Sequence, residues 1–278
     1  MLTYNLFDVQ FRNKEYATGV NTSPHFKWSR DKKAPDEGDI SFYTDIQLRV
    51  AINHVGRKFG WLIESPEIYP GTIDWIRENH HYFERVFTHQ ESLLKLGNPF
   101  LFNPGSTCWI RVEDFAMYKK SKLISMIASK KGRTSGHKFR LKTIKYVETE
   151  ETPIDLFGKD FKGRRLHKKI DGLRDYAFSV AVENAQRDYY FTEKLIDCFA
   201  TGTVPIYYGC PSIGNFFNPK GMLIFNTIEE LCSFVPTITF DLYKQMLPFV
   251  KENFELSKKY DLDENYMYNN YASILNDS

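Results

Sequence analysis

Residues 176–209 have the sequence YAFSVAVENAQRDYYFTEKLIDCFATGTVPIYYG, and this stretch decides the fold. The apolar run Tyr176–Val182 predicts a buried strand, and residues 204–208 predict another. Between them, Thr192 is a suitable N-cap for a helix that ends before Gly202, because a threonine hydroxyl can accept an unpaired backbone N–H. A strand, a helix and a second strand joined by short turns predict a parallel, doubly wound sheet.

The same alternation continues on both sides of this stretch. In this half of the chain, further elements are predicted at residues 123–128 (strand), 136–147 (helix), 154–158 (strand), 222–225 (strand) and from 227 onward (helix). Asn226 is the predicted N-cap of the last of these, with Glu229 at the spacing of a capping box. From about Thr239 to the end, the pattern predicts amphipathic helices.

The first hundred residues also alternate. They predict strands at 40–43, 59–63 and 85–88 and a helix at 72–83. A turn-rich loop at 103–107 interrupts the pattern, which starts again near Lys122. We therefore predict an N-terminal α/β domain at 1–118, a second Rossmann-like domain at 119–258, and a helical tail at 259–278 that packs back on the first domain.

Composition excludes several classes of protein. The chain has 278 residues, of which 42% are hydrophobic and 26% charged, as is typical of globular proteins. A net charge of +2 argues against binding to the nucleic acid backbone. Four widely spaced cysteines indicate reduced thiols rather than a disulfide framework. Because no apolar run approaches the roughly 18 residues that span a bilayer, we expect a soluble, cytoplasmic protein without a transmembrane segment.

Polar residues follow the decisive strand. Glu183 and Asn184 come directly after it, and Glu193 and Lys194 begin the next helix, so all four lie at the carboxyl edge where α/β sheets bind ligands. The carboxylates are suited to sugar hydroxyls and the lysine to a phosphate. The alternative is that Glu193 only complements the helix dipole and that Lys194 is a solvated surface charge.

A basic loop spans residues 130–140, between a predicted strand and helix. Cations at a helix N-terminus oppose the helix dipole, and a bound anion reverses that effect. A diphosphate held by Arg133, His137 or Arg140 is the natural candidate. An ordinary solvent-exposed loop is the alternative.

Glu64 follows the apolar strand that contains Trp61. A carboxylate beside an indole at a strand end can act as a general base with a raised pKa, although a capping or surface role is the alternative. The histidines at 80, 81 and 89 and the aspartates at 261 and 263 lack the spacing of a metal site, so no metal is predicted.

The pattern EN-x5-Y-x-TEK at 183–194, followed by G-x-VPI-x-x-G at 202–209, resembles the donor-binding signature of the α1,3-fucosyltransferases, glycosyltransferase family 10. The segment W-x-x-ESP at 61–66 is similar to the strand that ends in the family's catalytic glutamate. The resemblance covers residues 123–225 well and the first half of the chain only in patches.

The resemblance implies a GT-B architecture, in which two Rossmann-like domains face each other across a cleft and the second binds the nucleotide sugar. It implies an inverting transfer without an obligatory metal or other cofactor. Glu64 would take the proton of the acceptor hydroxyl, and Lys194 with His137 or Arg140 would stabilise the leaving diphosphate. The implied and derived donor-binding residues together are Arg133, His137, Arg140, Glu183, Asn184, Tyr190, Glu193 and Lys194.

The expected activity is therefore that of a glycosyltransferase, with GDP-fucose as the first candidate donor and a glycan hydroxyl as acceptor. The sequence leaves two alternatives open. One is a GT-B enzyme that uses another nucleotide sugar, and the other is a non-catalytic protein that binds carbohydrate or nucleotide on the same scaffold. Without an anchor or a disulfide pattern, the chain is closer to soluble bacterial or viral members of the family.

Overall fold

The computed structural model describes residues 3–8, 18–31, 33–150, 152–161 and 164–276. The chain divides into two compact units. The first unit comprises residues 1–107 and 259–278, and the second comprises residues 108–258. The predicted change of domain at residue 118 falls inside the segment that leads into the first strand of the second unit.

Parallel strands and helices alternate along the chain. The strands are β1 (Thr3–Phe7), β2 (Lys27–Ser29), β3 (Ile40–Thr44), β4 (Arg57–Trp61), β5 (Arg85–Thr88), β6 (Phe100–Phe102), β7 (Lys122–Ile127), β8 (Ile154–Phe157), β9 (Tyr176–Val182), β10 (Val204–Tyr208) and β11 (Leu223–Ile224). The α-helices are α1 (Thr72–Asn79), α2 (Glu91–Leu94), α3 (Ser135–Thr149), α4 (Glu193–Ala200), α5 (Ile228–Phe234), α6 (Phe240–Ser257) and α7 (Asp263–Asn276). The predicted α/β fold class is confirmed.

The first unit contains one sheet in the order β2-β1-β3-β4-β5-β6, in which every pair of neighbours is parallel. One of its core clusters is mostly aromatic, and α7 contributes Met267 and Leu275 to that cluster. The Trp28 indole N–H donates to Glu264 of α7 at 3.1 Å, and the Tyr271 hydroxyl donates to the Phe102 carbonyl at 2.8 Å. The C-terminal helix is therefore bound to this sheet by packing and by hydrogen bonds.

The second unit contains a sheet in the order β11-β10-β9-β7-β8, again wholly parallel. Counted within the unit, this is the doubly wound order 2-1-3-4-5, in which the direction of winding reverses between the first and third strands. That switch point lies between β7 and β9. All seven residues of β9 are buried, which explains why six of them are apolar; the exception, Ser179, accepts a hydrogen bond from the Ser125 hydroxyl.

Most element predictions for this unit are confirmed, and one cap is corrected. The predicted strands at 176–182 and 204–208 match β9 and β10. Gly202 ends α4 with a φ of 65°, as the predicted C′ residue should. The prediction that Asn226 caps α5 is wrong, because the cap is Thr227. The Thr227 hydroxyl accepts the Glu230 N–H at 3.2 Å, whereas the Asn226 N–H donates to the Glu230 carboxylate.

Gly136 docks the first turn of α3 onto the residues that follow β9. Its N–H donates to the Asn184 carbonyl at 3.1 Å, and the Thr134 hydroxyl donates to the same oxygen. A Cβ at position 136 would overlap the Glu183 carbonyl oxygen. Only glycine therefore allows the helix to approach this closely.

Replacing Gly136 by alanine should lower the free energy of unfolding by about 1–3 kcal/mol, the usual effect of overpacking. Urea denaturation of the full chain measures it. Gly132→Ala is the matched control, because a Cβ there meets only the flexible end of Leu141 at 3.4 Å. Equal stabilities of the two variants would contradict the close docking.

Candidate functional site

A cavity of about 210 Å³ opens at the switch point of the second sheet. Ligands of doubly wound folds bind at such points, outside the carboxyl ends of the strands. Its lining includes Ala128, Ser129, Arg140, Val182, Glu193 and Lys194. Residues from α3 and α4 therefore meet the ends of β7 and β9 at one place.

Glu183 stabilises the start of α4 by hydrogen bonds to the N-cap residue, Thr192. Its carboxylate accepts the Thr192 N–H at 2.8 Å and the Thr192 hydroxyl at 2.6 Å, and its side chain has no exposed area. A Cβ at Gly209 would lie 2.6 Å from the Cγ of Glu183, so a glycine is needed beside it. Glu183 is predicted from the sequence to bind the donor, whereas in the structure its carboxylate binds Thr192 and positions the start of the helix.

Lys194 lies among three oxygen atoms at the same helix end. Its Nζ is 3.0 Å from the Thr192 Oγ1, 3.0 Å from Glu193 and 3.5 Å from Glu183. Burial raises the pKa of Glu193, but Lys194 and Lys169 outweigh burial and lower it to about 2. Burial also raises the pKa of Glu183, against the charge of Lys194. The lysine is thus held in one position, with 18% of its side chain exposed.

Arg140 brings a second cation to the cavity from α3. Its Nη2 donates to the Val182 carbonyl at 2.9 Å and to the Asn184 side-chain oxygen at 2.7 Å. These bonds use one of the three guanidinium nitrogens. Arg140 is 5% exposed, so its orientation is set by the strand end and by Asn184 rather than by solvent.

His137 forms a capping box with Thr134 at the start of α3. The Thr134 N–H donates to its Nδ1 at 3.3 Å, which assigns the proton of the neutral ring to Nε2. Burial and the neighbouring cations Arg140 and Lys194 lower its pKa to about 4. At neutral pH His137 is therefore an uncharged hydrogen-bond donor.

A bound diphosphate should raise the pKa of His137, because negative charge nearby favours the imidazolium. In the free protein the pKa of about 4 lies below the ordinary 6.5, so protonation disfavours folding as the pH falls from 6.5 towards 4. Saturating GDP should therefore reduce the loss of stability between pH 6.5 and pH 4. NMR titration of the histidine rings with and without GDP measures the pKa, and His137→Gln identifies the resonance. An unchanged pKa at saturation would place the phosphates elsewhere.

Of the eight predicted donor-binding residues, Arg140, Glu193 and Lys194 line the cavity, and the other five do not. Tyr190 is 1% exposed and belongs to the core below the loop that joins β9 to α4. Arg133 is exposed in the loop before α3. His137, Arg140 and Asn184 thus lie close to Glu193 and Lys194. Tyr190 and Glu183 are buried, whereas Arg133 is exposed.

Two further residues of the site, Lys169 and Asp197, are not predicted from the sequence. Lys169 lines the cavity and forms an ion pair with Asp197, which is completely buried on α4. Asp197 also accepts the Trp109 N–H at 2.7 Å and the Cys108 thiol at 3.0 Å. The available signal was an aspartate on the apolar face of α4, since a buried carboxylate requires a partner.

In the first unit, Glu64 lies three residues beyond the end of β4 and is half-buried. Its N–H donates to the Asp45 carboxylate at 3.2 Å, and the preceding Ile63 N–H donates to the same oxygen at 3.0 Å. Trp61 is completely buried within the sheet. The joint action of Glu64 with Lys194 stays a prediction.

In the part of the chain that the structure describes, no helix combines the length and the apolar composition needed to cross a membrane. Within the same residues, no three His, Cys, Asp or Glu side chains are grouped so that they could hold a metal ion.

Comparison with known proteins identifies one family model, glycosyltransferase family 10 (fucosyltransferase) C-terminal part, which matches residues 117–258. An alpha-(1,3)-fucosyltransferase of Helicobacter pylori is 41% identical over 61 residues, covering 22% of this chain and 13% of that protein. A GDP-fucose protein O-fucosyltransferase 3 of Rattus norvegicus is 38% identical over 104 residues, covering 32% of this chain and 22% of that protein. The matched stretches therefore span less than a quarter of these relatives.

The fold has a counterpart among solved structures. A crystal structure of an alpha1,3-fucosyltransferase with GDP superposes with a TM-score of 0.56 at 18% identity, covering 84% of this chain and 79% of that one. A second alpha1,3-fucosyltransferase structure gives a TM-score of 0.57 at 17% identity, with the same coverage. The likeness confirms the predicted GT-B fold class.

Proposed function

The chain belongs to glycosyltransferase family 10 (fucosyltransferase), and from this premise we propose that it transfers a sugar from a nucleoside diphosphate to a hydroxyl of a glycan acceptor. The proposed donor is GDP-fucose, because the similar proteins named above are fucosyltransferases and one is named for GDP-fucose. The proposed reaction inverts the anomeric configuration.

This proposal rests on the positions of Lys194, Arg140 and His137, which lie close together at the switch point of the second sheet. Two are cations, and the third is a neutral N–H donor. Lys194 already pairs with the carboxylates of Glu193 and Glu183. Arg140 donates to the neutral oxygen atoms of Val182 and Asn184, and a buried cation that is bound to neutral groups favours an added anion. A diphosphate satisfies all three, since each phosphate accepts charge-assisted hydrogen bonds in several directions.

During transfer, the bond between the anomeric carbon and the diphosphate oxygen breaks, and its electron pair goes to the diphosphate. Lys194 and Arg140 stabilise the negative charge that develops there, and His137 donates from Nε2. Because these groups are already held by protein hydrogen bonds, little reorganisation is needed when the charge appears.

On the acceptor side, the hydroxyl oxygen forms the new bond to the anomeric carbon, and its proton goes to Glu64. Positive charge on the anomeric carbon and ring oxygen precedes full bond formation. Attack opposite the leaving group produces the inversion. The products are the glycoside, GDP and a protonated Glu64 that then loses its proton to solvent.

Calorimetric titration of the full chain with GDP, UDP and dTDP tests the proposal, followed by incubation with GDP-fucose alone. We expect GDP to bind below millimolar concentration and GDP-fucose to be hydrolysed slowly, with water as acceptor. Excess EDTA should leave this turnover unchanged, because protein cations stabilise the diphosphate. Binding of UDP or dTDP instead would favour another donor, and binding without turnover would favour a non-catalytic protein. No affinity for any of the three would contradict the proposal.

A further inference from the structure

Asp45 makes an unusual connection in the first unit. It directly follows β3, has a φ of 46° and is 3% exposed. A positive φ is uncommon for residues other than glycine and turns the chain sharply. Its Oδ1 accepts two backbone N–H groups, from Ile63 at 3.0 Å and from Glu64 at 3.2 Å. Asp45, at the end of β3, therefore binds the segment that follows β4.

The same segment is confined from its other side. A Cβ at Gly105 would lie 2.7 Å from the Ile63 carbonyl oxygen, so the loop after β6 packs directly on that peptide. Beyond Glu64, the Ser65 hydroxyl accepts the Glu67 N–H at 3.3 Å and closes a turn. The backbone at Glu64 is thus held on three sides, while its side chain remains half-buried.

We propose that Asp45 is a positioning residue for Glu64, fixing the backbone from which the Glu64 carboxylate reaches the acceptor proton. This inference rests on the proposed role of Glu64 as general base. A base must keep its carboxylate within hydrogen-bond distance of the reacting hydroxyl, and a displacement of about 1 Å can lower turnover about 100-fold. Asp45 has no contact with substrate in this proposal, and it acts through the two N–H groups.

A purely structural aspartate is the competing explanation, and it makes different predictions. Loss of a structural contact lowers stability and weakens all activities together. Loss of a positioning contact lowers kcat while the donor KM stays unchanged, because the donor is bound by the second unit. Asparagine keeps an accepting oxygen in the same place, and burial already raises the pKa of Asp45 to about 7, so an uncharged side chain is tolerated there.

The test compares Asp45→Ala, Asp45→Asn and Glu64→Gln in the full chain. GDP-fucose hydrolysis is the assay, GDP titration checks donor binding, and thermal unfolding checks that the mutated unit is folded. Asp45→Ala should lower kcat at least tenfold with an unchanged KM, and Asp45→Asn should stay within threefold of the native chain. Asp39→Ala is the matched control. Its carboxylate also accepts a backbone N–H, from Asp36 at 2.7 Å, at the opposite end of β3. This variant should retain kcat.

Three results decide the matter. If Glu64→Gln is inactive and Asp45→Ala keeps its kcat, the positioning role is overturned and the proposed function stands. If Glu64→Gln remains active, the role of Glu64 falls, and the positioning role with it. If Asp45→Ala does not fold, Asp45→Glu replaces it, since one extra methylene moves the accepting oxygen. The same drop in kcat is then expected, and its absence overturns the inference.

Discussion

Replacing Glu64 by glutamine should lower the turnover of GDP-fucose by a factor of about 10²–10⁴, the range that general bases contribute. Glutamine has nearly the same shape but cannot accept the proton of the attacking hydroxyl. The two N–H bonds to Asp45 involve the backbone, so they persist in the variant. The affinity for GDP should not change, because the proposed diphosphate site consists of residues of the second unit.

Steady-state kinetics and GDP titration of the same preparation separate the two effects. Glu78→Gln is the matched control, an exposed glutamate on α1 whose replacement should alter neither quantity. If Glu64→Gln kept more than a tenth of native turnover, another group would have to be the base. If it also lost GDP affinity, the defect would lie in folding rather than in proton transfer.

The second sheet could be predicted because its signals are local. Each central strand is a short apolar run with a clear boundary, and Thr192 and Gly202 mark the two ends of α4. These features act within a few residues, so the sequence shows them directly. In the first unit, β1, β2 and β6 were missed. Two of them have only three residues, and all three are defined by pairing with strands elsewhere in the chain.

The sequence predicts where the residues of the candidate site lie better than it predicts what each of them does. Spacing places Glu183 and Lys194 at one sheet edge, and both lie there. Spacing does not show which carboxylate is buried. Glu183 is used by the N–H and hydroxyl of Thr192, which lies nine residues away. The pair of Lys169 and Asp197 could not be predicted for a similar reason, since nothing local connects the segment before β9 with the buried face of α4.

The Lys194→Ala variant should bind GDP about 10- to 100-fold more weakly, because hydrogen bonds to charged groups contribute about 1.5–3 kcal/mol. Turnover should fall further than affinity, since charge on the diphosphate increases in the transition state. The variant also removes the main cation beside Glu193, so the pKa of Glu193 should rise from about 2. Lys169 remains and limits that rise.

Lys138→Ala is the matched control, because Lys138 is an exposed cation on the first turn of α3. It changes the net charge equally and should leave GDP affinity within twofold. Thermal unfolding separates a binding defect from a folding defect, since Lys194 also contacts Thr192 and the buried Glu183. Pairing Lys194→Ala with Glu183→Gln removes the buried carboxylate left without its cation, so stability should recover while GDP affinity stays low. Native GDP affinity in a folded Lys194→Ala variant would mean that the diphosphate is not bound at this helix end.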